Sequence, residues 1–461
     1  MKFYTGSTSF SVLFLCLALS AGVLAGCDTI ETEPAATGER AAPASKMRHA
    51  HLFGAPGSGK VLERFEEFSA HTEFVMGFSF TGQLDPLKVL ERYDQEDGVS
   101  VKRLFRKSVK GLAVHIDADR LEYILGLVEV DDDIAWMEPD PKYTHGLSGK
   151  TFKVPNTQQL VSSLNFVNAH KTSTNPGDGK GAVSVDLYIL DTGIEHEDLN
   201  VVERVDFSAA GQDVDLTKVL ERHETTLDPA GDALGHGTHV AGIAAAIDDA
   251  DYLVGAAPGA RLHDFKVFGK TGQADMSSVI AALDVITARK LFRPLKPIVV
   301  NLSLGADIGT TEYNALDEAV AEAVAAGVVV VVAAGNDGID AATVTPAHVA
   351  EAITVGAARR VGVKGKTYNE RSSFSNVGSV IDLFAHGEDV QSLSPDPTLT
   401  ADMSGTSMAA PLVAGVAALY LSKHPLATPS QVRQALLKAA DANVVGIPTG
   451  TPNRYLNAST F

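Results

Sequence analysis

From Val183 to the C-terminus the sequence predicts an α/β fold, a parallel sheet flanked by helices. Three observations carry this expectation. Strand-like apolar runs alternate with stretches of helical spacing, the pattern of βα units. The runs 298–304 and 328–334 are continuous and β-branched, as expected of strands buried on both faces. Asp191, Asn336 and the turn Ser303-Leu304-Gly305 each fall at the C-terminal end of such a run, where open α/β sheets carry their chemistry. A small α+β unit is predicted ahead of this sheet.

Taken in order, residues 1–27 read as an export signal, with Lys2 as a short basic region and an apolar run from Ser11 to Ala21. That run is too short, and too soon followed by polar residues, to be read as a membrane span. Residues 28–46 are rich in Glu, Thr, Ala and Pro without apolar periodicity, which reads as a tether. Between Met47 and Thr72 only a loop, Gly54 to Gly59, is assigned. Residues 73–143 form the α+β unit: strands at 74–80, 111–116 and 134–140, helices at 86–94 and 120–128. Residues 144–182 carry Gly, Thr, Ser, Asn and Pro and read as a linker and N-terminal arm. In the main unit, 183–190 is a strand ending at Asp191, and 236–247 is a helix of small residues. Helices follow at 277–289 and 312–326, the second stopped by Gly327. Thr428-Pro429-Ser430-Gln431 opens a last helix with a capping-box pattern.

The chain has 461 residues, a length that suggests two or three folding units. Its 57 acidic and 38 basic residues give a formal net charge of −19, which argues against nucleic acid as a partner. Both cysteines, Cys16 and Cys27, lie in the N-terminal segment, so the rest of the chain can form no disulfide. An exported chain without disulfides needs other staples, which raises the question of a bound metal.

Ser407 lies in MSGTSMAAPLVAG (Met403 to Gly415), at the expected N-terminus of a buried helix, where the dipole and unpaired N–H groups favour negative charge. By itself such a serine is a helix cap. Upstream stand Asp191 in ILDTGI, His236 in GHGTHVAG and Asn336 in AAGND. With this Asp, His, Asn, Ser order, residues from about 183 to 461 resemble the subtilisin-like serine proteases. RSSFSNVGSVIDLFAHGEDV (Arg371 to Val390) and GTPNR (Gly450 to Arg454) make the resemblance closest to the proteinase K branch.

The resemblance implies a Ser/His/Asp acyl-enzyme mechanism: Ser407 as nucleophile, His236 as base, Asp191 holding its tautomer. Asn336 and the Ser407 N–H would bind the oxyanion; alone, Asn336 would read as a turn residue. His239 would be structural. Ser303, Leu304 and Gly305 on one side, and Ala333, Ala334 and Gly335 on the other, would hold an extended peptide. Small walls imply a roomy pocket for aliphatic or aromatic side chains, and no acidic residue is assigned to its floor. Leu412 departs from the family, which often has His there. Residues 73–143 resemble the family's inhibitory prosegment, expected to be cut off in the linker near 143–150. Leu24-Ala25-Gly26-Cys27 resembles a lipobox, which would place a lipid on Cys27 and tie the zymogen to a membrane; the alternative is an ordinary signal with a chance cysteine. Calcium would be held by Asp382 with the carbonyls of Ala350 and Ala352, oxygen ligands suited to Ca²⁺; the alternative for Asp382 is an ion pair. The acidic stretch 206–232 reads as a surface loop, with a second metal site as its alternative.

Overall fold

The structure is a computed structural model and describes residues 65–79, 84–144, 148–153, 159–160, 183–208, 231–249, 252–363 and 366–461. The expected export signal and tether, Cys27 and most of the acidic stretch before Asp232 lie outside these residues.

The small unit is a four-stranded antiparallel sheet in the order Val99–Phe105, Gly111–Ile116, Glu73–Phe78, Ile134–Pro139. Helix Pro86–Asp94 starts on Asp85, whose side chain accepts from Leu87 N, with Pro at the first helical position. Helix Leu121–Val130 buries Leu121, Ile124, Leu125 and Val128 at helical spacing. Gly77 is required by packing: a Cβ there would stand 1.9 Å from the Trp136 ring, which crosses the sheet. Strand Val99–Phe105 is not among the expected elements. Lys102 and Arg103 interrupt its apolar pattern, but Arg103 is buried and donates to the Phe207 carbonyl at 2.5 Å and to Ser278 Oγ at 3.2 Å. A charge that reads as solvent-facing is a contact to the large unit.

The large sheet has the order Val444–Val445, Lys366–Arg371, Ile353–Val363, Val329–Ala333, Ile298–Leu302, Asp186–Asp191, Arg261–Lys266, Val201–Asp206, with Leu383–His386 also on Ile353–Val363. Its central strands are parallel. Beyond Asp186–Asp191 the chain builds outward to Val201–Asp206, returns to Arg261–Lys266, then crosses to Ile298–Leu302 on the other side. Asp191 therefore ends the strand at which strand order reverses, the crevice where such sheets bind ligands.

Residues alternate between two cores. Leu187, Ile189, Val299 and Val331 face helices His236–Ala245 and Thr406–Lys423. Tyr188, Leu190, Val300, Val330 and Val332 face helices Met276–Phe292 and Ala315–Ala325, in a core continuous with that of the small unit. Burial on both faces is why these runs read as unbroken apolar stretches. The helices His236–Ala245 and Thr406–Lys423 cross closely because small residues line the contact; a Cβ on Gly415 would meet Ala244 O at 2.7 Å. The expected stop at Gly327 is present, with φ +101, and Thr428 and Gln431 form the expected capping box.

The two units are joined by carboxylates on helix ends. Glu138 Oε1 accepts from Ala315 N at 2.8 Å, and Asp140 Oδ1 accepts from Ser277 N at 2.9 Å, so the small unit caps both helices of the facing layer. In return Asp284 accepts the backbone N–H groups of Arg106, Lys107 and Ser108.

Candidate active site

Asp191 closes its strand, and His236 opens a helix after Gly235, whose φ of +73 is open to glycine at little cost. His236 Nδ1 stands 2.7 Å from Asp191 Oδ1, with both side chains buried. Oδ1 also accepts from Thr192 N at 2.7 Å. A carboxylate can only accept, so Nδ1 carries the proton and Nε2 is the basic nitrogen. His239 Nε2 donates to the carbonyls of Val390 and Ala401, at 3.0 and 2.9 Å, which is a structural role.

Asp232 fixes the pair from behind. Its Oδ1 accepts from Thr192 Oγ1 and Gly235 N, at 2.7 and 2.8 Å; its Oδ2 accepts from Thr238 N and Oγ1, at 2.8 and 2.7 Å. Thr192 Oγ1 in turn accepts from Gly237 N at 2.8 Å. One carboxylate so ties the strand end bearing Asp191 to the helix end bearing His236. The sequence reading places Asp232 in the acidic loop; the signal for more was its position four residues before His236. Deeper still, Lys266 donates to the Thr192 carbonyl. Burial pushes the carboxyl of Asp264, which accepts from Ile194 N, up to about 8.

Ser407 is the second residue of helix Thr406–Lys423. Pro411 has no N–H to give the Ser407 carbonyl four residues back. Ser303 Oγ donates to that carbonyl instead, at 2.9 Å, and is itself held by Asn301 Nδ2. Ser407 Oγ donates to Ser303 O at 3.3 Å, so the two serines grip each other. Asn336 Oδ1 accepts from Thr406 N and Oγ1, at 2.8 and 2.9 Å, which fixes its NH₂ end as the donor end. Asn376, within the Arg371–Val390 motif, holds this loop: its Oδ1 accepts from Asp337 N and Ile339 N, and its Nδ2 donates to Ala334 O.

A cleft runs from Ser407 and Asn336 along Leu304, Gly305, Ala333 and Gly335, four of the six expected wall residues. Ser303 and Ala334 stand behind this wall, fully buried. Asp307 and Asp337 also line the cleft, carboxylates that the sequence reading did not place there. Hydrogen bonds from Gly309 N and the Thr343 hydroxyl hold Asp307 below the usual carboxylate range, so it is charged. Thr144 closes the cleft, bridged to Gly305.

The expected calcium ligands have another occupant. Asp382 Oδ1 accepts from Arg433 Nε at 3.1 Å and Nη2 at 2.5 Å, and Ala350 O accepts from Nη1 at 3.4 Å. Asp382 Oδ2 accepts from Thr354 N. Two of the three expected ligands, Asp382 and Ala350, are thus engaged by a guanidinium, and a calcium there would have to displace a cation that is part of the chain. In this structure Asp382 is in its alternative role, as an ion-pair partner.

A buried Asp–His pair at a strand end, a serine opening the helix packed on the His helix, and an amide donor beside it define a serine hydrolase built on a parallel α/β sheet. The comparisons with known proteins narrow this class. The chain belongs to the subtilase family, whose profile matches residues 182–456, and it is a subtilisin-like serine endopeptidase. It is 38% identical to an extracellular serine proteinase of Thermus sp. (strain Rt41A), over 76% of this chain and 75% of that one. It is 33% identical to subtilisin NAT of Bacillus subtilis subsp. natto, over 81% and 86%. A solved structure titled as a cold adapted subtilisin-like serine proteinase matches with a TM-score of 0.50 and 33% identity, covering 62% of this chain and 92% of that one.

Proposed function

We propose that this chain is an exported endopeptidase made as a zymogen that processes itself, of the proteinase K branch. Ser407 Oγ attacks the peptide carbonyl carbon while its proton passes to His236 Nε2; that proton then goes to the leaving amine, and water hydrolyses the acyl-enzyme by the same route. Asp191 holds the imidazole and stabilises its charged form. The Ser407 N–H and Asn336 Nδ2 receive the oxyanion. The observation that carries this reading is the buried 2.7 Å contact of His236 with Asp191, tied through Asp232 to a fixed geometry.

Residues 73–143 are the inhibitory prosegment in this reading, 144–182 the processing linker and arm, and 183–461 the peptidase. Support comes from strand Lys142–Thr144, which pairs antiparallel with Gln273–Asp275 and bridges through Thr144 to Gly305, the mode in which an extended substrate would add to the cleft. Its tail so occupies the site it inhibits. Ala333 and Val344 supply an apolar wall for aliphatic or aromatic side chains, and the carboxylates of Asp307 and Asp337 suit a longer side chain with a basic end. Export follows from the N-terminal signal, with Cys27 as the lipid-bearing residue of the zymogen. No helix among the described residues is long and apolar enough to cross a membrane.

The test is a fluorophosphonate probe with intact mass and N-terminal sequencing of wild type beside Ser407→Ala. The wild type should lose its prosegment near 143–150 and take label on Ser407; Ser407→Ala should stay uncut, unlabelled and inactive. Turnover by purified Ser407→Ala near the wild-type level would sink the assignment.

A further inference from the structure

Tyr143, paired with Ala274 and one residue before the bridge to Gly305, is fully buried although it belongs to a three-residue edge strand. A buried phenol needs partners for its hydroxyl. Here Asn314 Nδ2 donates to it at 3.3 Å, and the Thr345 hydroxyl is its second partner.

Neither partner is free to turn away. Asn314 Oδ1 accepts from Asp317 N at 3.1 Å as the cap of helix Ala315–Ala325, so a flipped amide would set NH₂ against N–H. Thr345 Oγ1 donates to Asp317 Oδ1 at 2.6 Å. Asp317 Oδ2 accepts from Asn314 N at 2.9 Å and lies 2.8 Å from His348 Nε2. His348 Nδ1 faces the Ala342 carbonyl at 3.0 Å. Both ring nitrogens so face oxygen atoms, one of them on a buried carboxylate. Burial pushes His348 down, but the hydrogen bond and charge of Asp317 outweigh it and hold the group above its ordinary value. Asn314, Thr345, Asp317 and His348 all lie in the peptidase unit and remain after the prosegment is gone.

We propose that this cradle is a specificity pocket of the mature enzyme for a tyrosine side chain of an extended substrate, reading the hydroxyl through Asn314 and Thr345 and so selecting Tyr over Phe at the position Tyr143 holds. This rests on the reading of Lys142–Thr144 as bound in substrate mode. A site built to hydrogen-bond a hydroxyl rejects the analogue without it, because its own polar groups are then left unpaired.

The test uses mature enzyme and two quenched peptides with the chain's own sequence from Asp140 to Lys150, one carrying Phe in place of Tyr143. Wild type should favour the Tyr peptide in kcat/KM by roughly tenfold to a hundredfold, the cost of leaving one buried polar group unpaired. Asn314→Ser keeps a helix cap but has no NH₂ to reach the phenol, and the ratio should fall to about unity. Thr345→Val should lower it as well. If neither peptide is cut, the ratio is read from their competition with labelled casein. Equal handling of the two peptides by wild type, or a ratio that survives Asn314→Ser, overturns the pocket. Cleavage that persists in Ser407→Ala overturns the catalytic reading instead.

Discussion

Asn336 gives its carbonyl oxygen to Thr406, which leaves the opposite end of the amide for chemistry. Asn336→Ala should therefore lower kcat with little change in KM, because the donor acts on the transition state. The expected loss is about 10²–10³-fold, a figure borrowed from the corresponding donor of a subtilisin rather than derived from this structure. Asp232→Ala frees Thr192, Gly235 and Thr238 together, and small misplacements of a catalytic pair can cost about 10²-fold. Steady-state kinetics should show kcat down by up to that factor, with the circular dichroism of the fold kept; wild-type kcat would show that Asp232 does not position the pair. At this scale the sequence was legible where residues sit in short motifs: the places of Asp191, His236, Asn336 and Ser407 follow from turns a few residues long. Asn376 was not, because it is 37 to 42 residues from the loop positions it holds, and Arg433 was not, because its partner Asp382 is 51 residues away. Arg433 also engages two of the three expected calcium ligands, a pairing that no local pattern records.

Elements were legible where both faces are buried or a cap is spelled out, as in Ile298–Leu302, Val329–Ala333 and the helix after Thr428. Val99–Phe105 was not, because a strand that turns an arginine into an interface breaks the apolar pattern. The helix Pro429–Ala439 is pinned to the sheet by Arg433 on Asp382, whose side chains are 24% and 3% exposed. Asp382→Ala should cost about 3 kcal/mol, the lower end for breaking a buried pair because the guanidinium keeps some water. Melting should fall equally with and without chelator, and Arg433→Met in the same chain should recover part of it; a loss seen only without chelator would restore the metal reading. The cap from Asp140 onto Ser277 is pH-sensitive. Burial pushes this carboxyl up to about 7, from its ordinary 3.8. A group raised in this way favours the joined state below pH 3.8, and that contribution is lost as pH rises through 7. In uncut Ser407→Ala, calorimetry should show the small unit melting at higher temperature at pH 5 than at pH 8. Asp140→Asn, neutral throughout, should show a smaller difference; an unchanged difference would place the pH dependence elsewhere.

At the scale of the whole chain, the proposed anchor and the peptidase stand on opposite sides of the expected cut. The proposed lipid on Cys27, the tether and the proposed prosegment all lie ahead of that cut near residues 143–150, so processing there would sever the covalent link to the membrane. Ser407→Ala should stay in the membrane fraction at the size of the uncut lipoprotein, whereas the mature domain should be soluble once the prosegment is degraded. Cys27→Ser should be soluble in both backgrounds. A fractionation blot against the C-terminal domain reads this, and mature enzyme that stays with membranes after the prosegment has gone would refute the release model. What the sequence could not disclose at this scale is how tightly the two units share a core, since that depends on carboxylates meeting helix ends far away in the chain. One further property comes with that arrangement. The chain has a single tryptophan, Trp136, lying across the small sheet beside Gly77. A peptidase that had shed this sheet would emit only as a tyrosine protein, so the proposed maturation would carry its own optical signature: fluorescence excited at about 295 nm would go dark as the small unit leaves, with no label attached.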